Sequence, residues 1–243
     1  MRFEAIYSSS KSNLYIVTAG NGKRLLIECG CTPKQFQKAV GYKLDGIVGC
    51  LVTHCHDDHS HCIEFVLDSE IDVYASLGTF EALGVVHRKA HVIRDKERFV
   101  IDKTFEVFPF DEIHDVAEPL GFKIKEISSK EELLFATDTM LIKPRFGVEF
   151  SIICLGCNYD GEILSEMVDS GDINEFVAKR INDNHLSVYA TLDYLRRCCC
   201  LDKCHEIWLL HMSGSNIDKE KTRAEVETEL CVPTYVAGGK EKT

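Results

Sequence analysis

The spacing of apolar positions along this chain changes several times, and the changes predict an alternation of strands and short helices. Phe3 to Tyr7 alternates as a half-buried strand does, and the polar run Ser8 to Ser12 interrupts it. Leu14 to Thr18 is a β-branched run, Gly20-Asn21-Gly22 is a hairpin turn signal, and Lys23 to Glu28 returns as a strand. Pro33 opens a helix carrying Phe36, Ala39 and Val40. Ile47 to Thr53 reads as a buried strand, Ile63 to Leu67 as a helix, Val73 to Ala75 as a strand and Leu77 to Leu83 as a helix. Further strands are expected at Phe105 to Phe110, Gly121 to Glu126, Glu132 to Thr137, Ser151 to Leu155 and Glu206 to Leu210. Gly121 to Glu126 and Glu132 to Thr137 look like a pair. Helices are expected near 160–168, 172–182, 187–199 and 218–230, followed by a solvated tail, GGKEKT. No linker, repeat or low-complexity block divides the pattern, so one α/β domain spanning 1–243 is the economical reading.

Composition narrows the class. With 45% hydrophobic and 28% charged residues, the chain reads as globular with a sizeable core. The net charge of -11 argues against a non-specific nucleic-acid coat protein, yet not against a nuclease, whose bound cations make a site locally positive. The 12 cysteines come without a secretory signal or a membrane-length apolar run, so a cytoplasmic protein with reduced thiols and no membrane association is expected.

The sharpest chemical signal is Thr53-His54-Cys55-His56-Asp57-Asp58-His59, delivered at the end of an apolar strand, where α/β proteins place their sites. Imidazole and carboxylate suit Zn, Mn and Fe. His54 and His56 project from a tight turn, while Asp58 and His59 begin the following helix and point elsewhere. That spacing suits two adjacent ions better than one.

This HxHxDH run resembles the signature of the metallo-β-lactamase fold superfamily. The order of the later residues is also similar: His114 in DEIHDVAEPLGF, Asp138 in LLFATDTM and His211 in IWLLHMS. The resemblance implies a four-layer αββα sandwich. It further implies that His54, His56 and His114 hold one divalent ion, that Asp58, His59 and His211 hold the other, and that Asp138 bridges them. The segment at residues 8–13, HDVAEPLGF, ATDT, Asn158-Tyr159-Asp160, AKRINDNHLS and HMS with Asn216 resemble the YycJ/WalJ-type branch, from about residue 3 to 235. That likeness implies a 5'-to-3' DNA exonuclease, with a hydroxide bridging two ions about 4 Å apart as nucleophile.

The periphery departs from the branch. Glu28 stands where the superfamily has an Asp that supports the ligands. Ser8-Ser9-Ser10-Lys11-Ser12-Asn13 lacks both glycines of SGSxGN, Tyr159 replaces a His, and Asn184 and Val188 replace the Gly and Asn flanking HLS. Intact ligands with a drifted rim fit retained chemistry on an altered substrate.

Roles follow for neighbouring residues. Asp57, Asp115 or Glu28 is expected to accept the free ring N–H of a ligand histidine. Asp58 and His185 are the catalytic candidates, with His185 contacting phosphate or protonating the leaving oxygen. Ser8, Ser10, Asn13, Asn158 and Ser187 are the further substrate-binding candidates, although Ser187 also suits a helix cap and the first loop suits ordinary turn chemistry. Cys198, Cys199, Cys200, Cys204 and His205 are not spaced as a zinc knuckle, and Cys29, Cys31 and Cys55 read as packing residues. His61, His87 and His91 read as surface histidines, and Asp95, Glu97 and Asp102 dilute the basic stretch Arg94, Lys96, Arg98, Lys103. Three functions compete: a phosphodiesterase acting on DNA, a hydrolase of the same fold acting on a small ester, thioester, lactone or cyclic phosphodiester, and a non-catalytic binding module.

Overall fold

A computed structural model describes residues 1–238; the expected tail beyond Gly238, and the side chain of Cys198, lie outside the described residues. The chain divides into two compact units, residues 1–111 with 116–131, and residues 112–115 with 132–243.

Unit 1 carries β1 (Arg2–Ser9), β2 (Ser12–Thr18), β3 (Arg24–Ile27), α1 (Pro33–Ala39), β4 (Ile47–Leu51), α2 (Asp57–Ser60), α3 (Ile63–Asp68), β5 (Val73–Ala75), α4 (Leu77–Leu83), β6 (Ala90–Val92), β7 (Phe99–Ile101), β8 (Phe105–Asp111) and β9 (Leu120–Glu126). Strands β1 to β6 form a six-stranded sheet in chain order. It is antiparallel over β1-β2-β3 and parallel from β3 to β6. Strands β7, β8 and β9 form an antiparallel ladder.

The local reasons are visible in the residues. Thr32 and Gln35 make a reciprocal capping box, and Pro33 at the first helical position loses no needed N–H. Phe36 of α1, Val66 and Leu67 of α3 and Phe80 of α4 then close over Leu14, Ile16, Leu26, Cys50, Val52 and Val73 of the sheet. On the neighbouring positions of the same strands, Tyr15, Val17, Leu25 and Ile27 are also fully buried, so the sheet is covered on both faces. That rigid support holds the C-terminal end of β4, from which His54 leaves.

Unit 2 carries β10 (Glu132–Ala136), β11 (Ile152–Gly156), α5 (Gly161–Asp169), α6 (Glu175–Asn184), α7 (Val188–Cys198), β12 (Glu206–Leu210), α8 (Lys219–Leu230) and β13 (Thr234–Val236). Its strands form a parallel ladder in the order β10-β11-β12-β13. Strands β10, β11 and β12 are almost wholly buried, as expected of near-continuous apolar runs. Helices α5, α6, α7 and α8 begin at Asp160, Asn174, Ser187 and Asp218, each with its side-chain oxygen accepting a backbone N–H of the first turn. The expected cap at Ser187 is therefore present. Strands β6, β7 and β13, three residues each, have no counterpart in the sequence pattern.

Candidate metal centre

In unit 1 the turn that carries His54, His56, Asp58 and His59 is fixed by its own backbone. His56 is extended and caps α2, so His54 and His56 leave an extended segment while Asp58 and His59 occupy the first helical turn. Ser60 Oγ donates to the Cys55 and His56 carbonyls and ties the turn shut. Gly30 lies beneath it so closely that a Cβ there would meet the Asp58 carbonyl oxygen at 1.6 Å. His54 and His59 are almost fully buried, at 1% and 0% exposure.

Hydrogen bonds set the tautomers. Thr53 Oγ1 lies 2.6 Å from Glu28 Oε1, and the carboxylate can only accept, so the hydroxyl gives its proton there. The same oxygen lies 2.8 Å from His54 Nδ1 and must accept from it. His54 therefore carries its proton on Nδ1 and its lone pair on Nε2, which lies 3.1 Å from His56 Nδ1. Glu28 Oε1 also lies 3.2 Å from His59 Nδ1, which turns His59 Nε2 toward Asp58 Oδ2 at 3.3 Å. The four donors thus sort into two pairs, His54 with His56 and Asp58 with His59. A fully buried Glu28 orients both pairs, one through Thr53 and one directly. Its backbone is held in the left-handed region at φ 65, which is strained for a residue with a Cβ.

Asn13 is buried, and its amide nitrogen donates to the Asp58 carbonyl at 3.0 Å and to Asp58 Oδ2 at 3.1 Å, 3.2 Å from His59 Nε2. Ser8 Oγ pairs with the Tyr15 hydroxyl at 2.8 Å. Of the three residues expected to touch substrate from this loop, only Ser10 is exposed.

In unit 2 the candidates gather at the C-terminal ends of β10, β11 and β12, as the position of sites in α/β sheets predicts. Asp138 follows β10 and is 3% exposed; His211 follows β12, 8% exposed, in the left-handed region at φ 50. Asp138 Oδ1 lies 3.4 Å from His211 Nδ1 and 3.6 Å from His185 Nδ1, and Asn158 Nδ2 donates to it at 3.2 Å. Asn158 Nδ2 also lies 3.1 Å from His211 Nδ1. His114 donates from Nδ1 to the Asn184 carbonyl at 3.1 Å, which leaves its lone pair on Nε2. The segment before it is pinned to the Asp138 loop, because Ile113 N–H donates to Thr139 Oγ1 and Met140 N–H to the Ile113 carbonyl.

His185 caps the C-terminus of α6, and its ring sits 5.5 Å from that of His114 and 6.0 Å from that of His211. Its Nδ1 is buried without a hydrogen bond among the described residues. Backbone bonds from Asn158 N–H to Leu186 and from Val188 N–H to Tyr159 lock His185-Leu186-Ser187 beside Asn158-Tyr159.

The residue types and tautomers fit divalent ions: imidazole lone pairs and carboxylates are grouped at two places in unit 1, and again around Asp138 in unit 2. Of the three acids considered as supports, Glu28 faces the imidazole of His59, whereas Asp57 pairs with His61 and Asp115 accepts from Arg180 while lying 3.5 Å from His114 Nε2. Two contributors carried no signal of role in the sequence: Thr53, which relays Glu28 to His54, and the Asn184 carbonyl. Burial pushes the Cys157 thiol up to about 12 and the Cys204 thiol up to about 11, so both stay protonated. Cys200 lies near Glu149 and Asp202, but Lys203 already pairs with that glutamate. His87 and His91 bond only to a local N–H and to Asp72 among the described contacts.

A family model described as Anti-Pycsar protein Apyc1 matches residues 4–71. The chain is 27% identical to exodeoxyribonuclease YycJ of Bacillus anthracis, over 95% of this chain and 89% of that protein. Among solved structures it is similar to the metallo-β-lactamase fold protein YhfI of Bacillus subtilis, with a TM-score of 0.74, 14% identity and coverage of 97% and 95% of the two chains. It is also similar to Zn(2+)-bound PqqB of Methylobacterium extorquens, with a TM-score of 0.70, 15% identity and coverage of 98% and 97%.

Proposed function

This chain has the metallo-β-lactamase fold, and from that premise we propose that it is a metal-dependent phosphodiesterase, with DNA as substrate in a 5'-to-3' exonuclease reaction. In this reading His54, His56 and His114 hold one ion, Asp58, His59 and His211 hold a second, and Asp138 bridges them. The observation that carries it is the Glu28–Thr53 relay, which leaves the His54 lone pair on Nε2. Burying the His54 and His59 donors with no cation to fill them is costly. Zn, Mn and Fe all suit this donor set.

When bound, the ions would supply Lewis acidity toward a phosphoryl oxygen and a water nucleophile active near neutral pH. The chain's own residues do the rest. Glu28 aims the ligand imidazoles, that of His54 through Thr53 and that of His59 directly. Asn13 holds the Asp58 carboxylate, which is the group proposed to take the proton of the attacking water. His185, whose ring lies 5.5 Å from that of His114 and 6.0 Å from that of His211, contacts the phosphate or delivers a proton to the leaving oxygen. Ser10 and Asn158 flank the substrate, and Ser187 keeps the His185 segment in place by capping α7.

A second reading, a small phosphodiester or ester as substrate, has its own support. Three of the four cations of the basic stretch are paired: Arg94 with Glu97, Lys96 with Asp95 and Arg98 with Glu106. The test is purified protein with added Mn or Zn on end-labelled linear DNA, beside an Asp58→Ala, His59→Ala double variant. Stepwise, metal-dependent loss of nucleotides by the parent alone supports the exonuclease. Intact DNA together with hydrolysis of a cyclic nucleotide would move the assignment to the second reading.

A further inference from the structure

Unit 1 has a cleft of about 350 Å³ on the flank of the turn that carries Asp58 and His59, within the range of about 300–1,000 Å³ typical of small-ligand sites. Its walls are the tip of the β1–β2 hairpin with Lys11, the segment between β3 and α1 with Gly30 and Thr32, and α2 with Asp57 and its cap His61. A single buried side chain ties the first two walls to the turn. Asn13 Oδ1 accepts from the Ser9 N–H at 3.1 Å, and its Nδ2 donates to the Ser9 carbonyl at 3.0 Å. The Asn13 carbonyl accepts from the Gly30 N–H at 3.0 Å, and its amide also donates to Asp58 Oδ2 at 3.1 Å. The cleft is therefore held in a fixed place beside a candidate ligand.

The polar groups around it differ in what they have left to give. Thr32 and Gln35 satisfy each other in the capping box, and the Asp57 carboxylate is turned to His61 Nδ1 at 2.9 Å. Lys11 is exposed, its backbone N–H donates to Ser9 Oγ at 3.3 Å, and its ammonium pairs with no acid among the described residues. In a chain of net charge -11, an unpaired ammonium lining a cleft is a place where an anion gains. A compact ammonium on a flexible stem suits phosphate as a point charge. Asn13 occupies the position against Asp58, so Lys11, two residues earlier at the hairpin tip, serves a group next to the reaction centre rather than the reacting group itself.

We propose that this cleft is a subsite for a non-scissile phosphate of a polynucleotide substrate, with the Lys11 ammonium as its counterion. The inference rests on the phosphodiesterase reading and deepens it. A cyclic mononucleotide has no second phosphate to place there, whereas a DNA strand carries one at every nucleotide.

The salt dependence of binding reads the subsite without turnover. A fluorescein-labelled single-stranded oligonucleotide is titrated with full-length protein in EDTA over a range of KCl, followed by anisotropy. Each phosphate contact contributes roughly 0.7 to the slope of log affinity against log salt for a single strand. Lys11→Ala should bind more weakly, with a slope shallower by about that amount, and Lys11→Arg should keep the parental slope. Lys103→Ala, which removes a cation outside the cleft, should keep it too. Equal slopes for the parent and Lys11→Ala, no binding by either, or the same drop in Lys103→Ala overturns the subsite. Hydrolysis of bis(p-nitrophenyl) phosphate with added Mn reports the proposed function separately, because that diester has one phosphate. Lys11→Ala should match the parent in kcat and KM on it, and a loss there as large as on DNA also overturns the subsite. A parent that binds the oligonucleotide through Lys11 yet hydrolyses no phosphodiester would overturn the phosphodiesterase reading alone.

Discussion

Replacing Glu28 by Gln tests whether tautomer control underlies the centre. The two Glu28 oxygens face three hydrogen-bearing groups: Thr53 Oγ1 at 2.6 Å, Thr53 N–H at 3.2 Å and His59 Nδ1 at 3.2 Å. A glutamine there has one accepting oxygen and an amide that brings two further hydrogens, so at least one contact becomes donor against donor. At a site with no solvent to relieve it, an opposed buried donor costs about 1–3 kcal/mol. If that cost falls on ligand orientation, it corresponds to roughly 5- to 150-fold in metal affinity. Loss of outer supports of ligand histidines generally costs about 10- to 100-fold. Competition with a chromophoric chelator measures the affinity for Zn, and thermal melting of the metal-stripped protein measures the cost to folding. The expected outcome is an affinity lowered within that range in a protein that still folds. Unchanged affinity with a lowered melting temperature would make Glu28 a purely structural acid and refute the reasoning.

Three other outcomes are expected. Gly30→Ala drives a methyl into the Asp58 carbonyl and the His59 nitrogen, at 1.6 and 2.4 Å, and backbone cannot rotate away; it should lower stability by about 1–3 kcal/mol, and an unchanged denaturant midpoint would contradict the close approach. His185→Ala should lower kcat on a phosphodiester by about 100-fold or more while metal content stays at the parental level, and unchanged kcat and KM would remove His185 from the chemistry. Burial works to raise the Asp72 carboxyl, but the His91 and Lys89 hydrogen bonds outweigh it and hold the group below its ordinary value. A depressed folded value means that its stabilising contribution is present above the ordinary carboxylate pKa and is lost as pH falls through the folded value. Asp72→Asn should therefore melt lower than the parent near neutrality, with the gap closing as the pH is lowered through the carboxylate range; a constant gap would contradict the assignment.

What was legible in the sequence depended on whether the determinant lies in side chains that are close in the chain. The ligand turn was, because His54, His56, Asp58 and His59 are nearly contiguous and β4 before them is an unbroken apolar run. Strands β6, β7 and β13 were not, since three residues are too few to show a period of two. Asp57, Asp115 and Glu28 looked alike as supports, and only the left-handed turn after β3 sets Glu28 against Thr53 and His59.

The drift around the HLS segment has a related explanation. Asn184 stands where the resembling branch has glycine, yet the group that fixes His114 is the Asn184 main-chain carbonyl, which every residue possesses. The asparagine side chain is turned instead to the Arg180 carbonyl, at 3.0 Å, inside α6. Tyr159 likewise donates its hydroxyl to Asn182 and holds the start of α5 to the end of α6. Both replacements alter how the His185 segment is braced without touching an atom of the ligand set. Chemistry carried by backbone groups and a buried Glu28 can therefore persist while the rim changes. That is the physical reason for expecting any change of selectivity relative to that branch in the α6–α7 segment rather than in the candidate ligands.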